Sequence, residues 1–290
     1  MEAATRAETV ARGVAPPRPR RRWRRFILPV YSGLVILYTL VPIAVMVLYG
    51  FNQAPSDRLT FAWKGFTVEW YRELLSIPDL TTALVHSLEI ASLSTLIATA
   101  LGIPAAIALS RHRFLGRGMG DMVILADVAA PSVVVGASLL GFFVYLGVPR
   151  GFTTILIAHV AFNVAFVVVV LQARLADLDE ALVEAAQDLG ANPWVAFWRV
   201  TFPLIFPGIL AAALLAFALS IDDFIITSFV AGQTLTFPLW VYGSVKVGIP
   251  PQVFVMGTLI FVAGIIFAIV SIVAQRRGPA PGDLRAAPVT

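Results

Sequence analysis

Two adjacent carboxylates, Asp222 and Asp223, interrupt a largely apolar run, and Asp127 and Glu89 interrupt two others. An ionised side chain at the centre of a bilayer costs about 2.5–3.5 kcal/mol on insertion scales. Acids kept at that cost line a water-filled path or bond to a neighbouring segment. Ser220, Thr227 and Ser228 add polar positions beside the pair. Two readings stay open: the pair lines a cavity for a solute, or it caps an interrupted helix and bonds to adjacent elements. No Arg or Lys lies deep in any of these runs. A cavity built from such acids suits a cationic or zwitterionic solute over an anion, and aromatic faces can add cation–π attraction. His159 and Asn163, one helical turn apart, read as hydrogen-bond partners between helices. With no Cys and only three scattered His, no metal cluster, disulfide or thiolate nucleophile is expected.

A second group of acids sits in a different setting. Between Asp177 and Pro207, five acids (Asp177, Asp179, Glu180, Glu184 and Asp188) face only Arg174 and Arg199 nearby. Asp179 suits an N-cap, and Ala181, Ala185 and Ala186 favour helix. Gly190 suits the left-handed residue just past a helix end. Asn192 and Pro193 then restart a helix as cap and first residue. This predicts a short helix, a glycine corner and a second short helix, with Pro203 and Pro207 breaking the chain before the next apolar run. Leu182, Ala185, Ala186 and Leu189 share one face of the first helix. Anionic lipid repels so acidic a helix, whereas a basic protein groove attracts it.

The elements that must carry these groups follow from composition. Of 290 residues, 59% are hydrophobic and 13% charged, against about 25% charged in a soluble domain. That excludes a soluble enzyme and a disordered chain. Apolar runs of about 20 residues cross a bilayer as helices, and six are read, at roughly 26–50, 84–109, 121–147, 153–172, 208–231 and 253–274. Pro104 and Pro131 are expected to kink their spans. Of 21 Lys and Arg, 16 fall on one side of this pattern and 5 on the other. The positive-inside rule therefore places both termini in the cytoplasm. The pI near 9.8 reflects these flanking charges and no nucleic-acid partner. Residues 1–25 read as a basic cytoplasmic tail held at anionic lipid, and 276–290 as a second tail. The stretch after Arg24-Arg25 is too long for a cleaved signal. Residues 66–75, with Trp70, Tyr71, Leu74 and Leu75, read as an interfacial helix. No internal repeat is visible, which argues against a secondary transporter of inverted halves.

Glu184-Ala185-Ala186, Gly190 and Pro203 stand at the spacing of the EAA loop of ATP-binding-cassette importer permeases, and the chain resembles that family. Val200 and Phe202 stand where the pattern has Ile and Leu. Ser220-Ile221-Asp222-Asp223-Phe224, Pro238-Leu239 and Tyr242-Gly243-Ser244-Val245-Lys246-Val247-Gly248-Ile249 are similar to the second permease subunits of spermidine/putrescine importers. The likeness runs over residues 26–275. It implies an all-α integral membrane protein of the type I importer fold, with six transmembrane helices and a coupling loop over 174–207. It further implies a second permease subunit, two ATP-binding subunits and an extracytoplasmic binding protein as partners, in a bacterial cell membrane. No cofactor is expected, since ATP belongs to the partner and the chain has no phosphate-binding Gly-Lys loop. On this resemblance, Glu180, Glu184, Ala185, Ala186, Asp188, Gly190 and Pro203 would couple to the ATPase. Ser220, Asp222, Asp223, Asp127 and Glu89 would line the path of a polyamine, or of another small amine or amino compound. An ion-coupled transporter would explain the acids but not the acidic loop.

Overall fold

Long apolar segments satisfy their backbone internally as helices, and helices are what the chain forms. The computed structural model describes residues 24–54 and 62–276. Most of both expected tails, 1–23 and 277–290, lies outside the described residues. The first compact unit, up to Tyr49, contains one apolar helix, α1 (Arg24–Tyr49), with Pro29 and Pro42 inside it.

The second unit, from Gly50 onward, contains the remaining helices. In chain order they are α2 (Glu69–Arg72), α3 (Pro78–Arg111), α4 (Arg117–Ala129), α5 (Ser132–Tyr145) and α6 (Phe152–Ala176). Then follow α7 (Ala181–Asp188), α8 (Pro193–Ala196), a π turn (Phe197–Thr201), α9 (Phe202–Ile221), α10 (Ile225–Val230), α11 (Phe237–Ser244) and α12 (Pro251–Arg276). Five helical stretches are long and apolar enough to cross a membrane, and the bent pair α4–α5 makes a sixth.

Helices α3, α6 and α9 form the centre. Ala98 and Ala106 of α3, Val167, Val168 and Leu171 of α6, and Ile205, Ala212 and Ala216 of α9 are buried against one another. Small residues let the backbones approach, since lipid offers no hydrophobic drive for helix association. At Gly102 the approach is so close that a Cβ would lie 2.5 Å from Val167 Cγ1. A second cluster joins Ile90 of α3, Phe143 of α5, Ile155 and Phe162 of α6, and Ile226 and Val230 of α10.

Three sequence expectations need correction. The third span is no kinked helix: α4 and α5 meet at 109°, with Pro131 as the residue before α5. Ala130 takes the extended conformation required of a residue preceding proline, which ends α4. The chain does not break at Pro203 and Pro207. Helix continues from Pro193 to Ile221 over 29 residues. A proline removes one backbone donor and crowds the carbonyl four residues back, which for Pro203 belongs to Arg199. The π turn widens the helix at that point, and the Phe202 N–H reaches Phe197 O instead. The expected fifth span, 208–231, stops early: α9 ends at Ile221 and α10 starts at Ile225.

The 66–75 segment also differs from the expected interfacial helix. Only Glu69–Arg72 is helical, and Trp70 is buried, its indole N–H donating to Asn52 O at 2.9 Å. The rings of Phe66 and Tyr71 both stack on Phe51. The aromatic residues here fold back on the protein.

Candidate functional site: a carboxylate cavity and an acidic helical corner

The break between α9 and α10 positions the acid pair. Asp222 is the residue just past α9, and Asp223 lies immediately before α10. Asp223 satisfies the free amides at the start of α10. Its Oδ2 accepts from Thr227 N and from Thr227 Oγ1, each at 2.8 Å, and its Oδ1 accepts from Ile226 N at 3.4 Å. A carboxylate at a helix N-terminus also gains from the backbone dipoles.

Behind Asp223 runs a buried polar chain. His159 Nε2 lies 2.9 Å from Thr227 Oγ1 and 3.5 Å from Asp223 Oδ2, and Nδ1 lies 2.6 Å from Ser220 Oγ. Ser220 Oγ lies 3.0 Å from Ser94 Oγ, to which Asn163 Nδ2 donates at 3.4 Å. One proton assignment satisfies the sequence of bonds. Ser94 donates to Ser220, Ser220 to His159 Nδ1, His159 Nε2 to Thr227, and Thr227 to the Asp223 carboxylate. Four helices, α3, α6, α9 and α10, are tied together at the level of the break. Sequence reading found His159 and Asn163 as bonding partners. It had no signal for the partners, which come from segments more than 50 positions away.

Asp222 makes none of these bonds. It lines a cavity of about 400 Å³ together with Asp127, Asp223, Phe162, Phe166 and Phe224. Asp127 stands in the last turn of α4, just before the bend, and its buried Oδ2 has no hydrogen-bond partner in the structure. Two of the three acids therefore sit at helix C-termini, where backbone carbonyls already concentrate negative potential. No Arg, Lys or His lines the cavity. Ser220 is turned into the polar chain instead of the cavity, and Glu89 is exposed on α3 away from the cavity lining.

The acidic corner forms by local rules. Asp179 Oδ1 accepts from Ala181 N at 3.0 Å, and Asn192 Oδ1 accepts from Val195 N at 2.8 Å. Gly190 has φ +88°, with its N–H bonded to Gln187 O and the Ala191 N–H to Ala186 O. A side chain at that φ costs roughly 1–2 kcal/mol. Glu180 precedes α7 and pairs with Arg111. Glu184 and Asp188 lie exposed on α7, as does Leu189 just beyond it, and Ala185 and Ala186 share the helix. Pro203 stands near the start of α9, on the far side of the π turn.

A helical membrane protein with a broken apolar span, a helix–glycine–helix corner and no nucleotide loop has the build of a transport subunit. Residues 98–277 match the family described as "Binding-protein-dependent transport system inner membrane component", and the chain belongs to it. It is a permease subunit of an ATP-binding-cassette importer, a multi-pass protein of the bacterial inner membrane. It carries no cofactor of its own and works with ATPases that bind ATP and with a periplasmic binding protein.

Among relatives, the putrescine transport system permease protein PotI of Escherichia coli K12 is 41% identical, over 84% of this chain and 87% of that one. The spermidine/putrescine transport system permease protein PotC of the same organism is 35% identical, over 83% and 90%. Its Haemophilus influenzae counterpart is 33% identical, over 88% and 98%. Among solved structures, a bacterial ABC transporter that imports alginate matches with TM-score 0.64 at 19% identity, over 91% of this chain and all of that one. At that identity the likeness shows the fold.

Proposed function

We propose that this subunit forms part of the path for a polyamine such as putrescine or spermidine. The observation that carries the reading is the cavity of Asp127, Asp222 and Asp223, in which two carboxylates stand at helix C-termini and no cation lines the wall. Such a site repels anions and is offset by an arriving ammonium group, while Phe162, Phe166 and Phe224 offer ring faces to it. The printed functions of the relatives support the same solute class. Glu89 and Ser220 belong to this proposal only as supporting positions, outside the wall and behind it.

In this reading α7 is the coupling helix. It faces the cytoplasm and docks on an ATPase subunit, with Glu184 pairing with a basic residue there and Gly190 fixing the angle to α8. Residues 26–275 act as the permease domain with a cytoplasmic tail at each end. A different permease chain completes the path, lipid surrounds it, and nucleic acid takes no part. The test is uptake by the complex reconstituted with its binding protein. Labelled putrescine should enter in an ATP-dependent manner, with spermidine competing and alginate oligosaccharide or methionine without effect. Import of a neutral or anionic solute with no response to either polyamine would reject the reading.

A further inference from the structure

Helix α7 has no buried residue, so apolar packing does not hold it in place. Between it and the helix ends above lies a cavity of about 340 Å³, lined by Ile107, Leu175, Leu178, Leu182, Val183 and Gln187 among others. Displacement of α7 toward this space would compress the cavity and move nothing else unless a rigid tie crosses it. One such tie is present. Arg111 is the last residue of α3, and its guanidinium is mostly covered, with a side-chain exposure of 22%. Nη1 donates to the Glu180 carboxylate at the start of α7. Nη2 donates to Leu175 O at 3.1 Å and to Leu178 O at 3.0 Å, carbonyls at and just past the end of α6.

We propose that Arg111 is a positioning residue for coupling, clamping α7 to the ends of α3 and α6 so that the three move as one body. The inference rests on the coupling role proposed for α7. An exposed ion pair by itself contributes little, because two long side chains must be ordered in water. Here the planar guanidinium is fixed by two carbonyls that lack partners at the helix end, so its orientation is set before Glu180 binds. Arg111 also neutralises the negative end of α6. Beyond the clamp, α3 is locked to α6 at Gly102 and Val167, and Ser94 of α3 reaches the polar chain behind Asp223. Movement imposed on α7 thus enters the most tightly packed pair of helices in the unit.

The test measures whether α7 travels with α3. Spin labels on Gln187→Cys in α7 and Leu101→Cys on the exposed side of α3 use a chain that has no native Cys. In the assembled importer the label distance should be narrow, and equal without nucleotide and with ATP plus vanadate. Arg111→Gln should widen the distribution about twofold by releasing a second population. Glu180→Gln should widen it likewise, and the double variant no further, because both remove one contact. Arg111→Lys, which keeps the charge, should stay narrow. A wild-type distance that shifts between states, or an Arg111→Gln distribution as narrow as wild type, overturns the clamp. If Arg111→Gln does not assemble, the exposed Glu180→Gln variant decides alone. A Glu184→Lys importer that couples normally would remove the docking role of α7 and leave these distances to judge the clamp by themselves.

Discussion

Asp222 and Asp223 are neighbours in the chain with opposite duties. Asp223 accepts three hydrogen bonds from the start of α10 and lies beside His159. Asp222 faces the cavity with Asp127. Asn substitution separates the two roles. Asp222→Asn should lower putrescine uptake about tenfold, the value of one charge-assisted contact, with no change in the thermal unfolding of the purified complex. Asp223→Asn and His159→Leu should each lower stability by about 1–3 kcal/mol, because buried donors lose their acceptor. Unfolding of both at the wild-type temperature would contradict the capping role. The cost of placing acids in an apolar run is visible in sequence, so the site could be found there. Which acid turns to the cavity could not, since no Gly or Pro marks the break at 222–224. The break is held from outside the segment, by His159 of α6, and tertiary bonds leave no local trace.

The acidic corner was legible because its causes are local. Asp179, Gly190 and Asn192 act within four residues of themselves, and each takes the position that its chemistry predicts. Prolines were ambiguous for the opposite reason. Pro131 accompanies a 109° bend, Pro104 lies inside an unbroken helix of 34 residues, and Pro203 is accommodated by a π turn. The same ring gives three outcomes according to what the surrounding helices can absorb. At this scale the sharpest prediction is coupling. Glu184→Lys or Gly190→Asp should leave the subunit in the membrane and lower solute imported per ATP hydrolysed by about tenfold. Wild-type stoichiometry in both variants would show that the corner does not contact the ATPase.

For the whole molecule, the basic residues set direction. The 16-to-5 division of Lys and Arg requires α7 on the cytoplasmic side and the α5–α6 connection outside. A single Cys at Tyr145 should react with an impermeant maleimide added to intact cells, and one at Leu189 only after lysis; the reverse pattern would invert the topology. Span number was legible from apolar length, while the paths of the third and fifth spans were not. Those two carry the cavity, and a cavity requires helices to stop where hydrophobicity alone would carry them through. The continuous helix from Pro193 to Ile221 has one further consequence. At 1.5 Å per residue it is a shaft of roughly 43 Å, joining the acidic corner at one end to Asp222 at the other. The π turn is a one-residue phase offset cut into that shaft. Deleting Val200 would restore ordinary winding and turn everything beyond it by about 100° relative to the corner. Asp222 would then point at a different neighbour while every contact before the offset stayed in place, yielding an importer that assembles and hydrolyses ATP but is mistimed by a fraction of a turn.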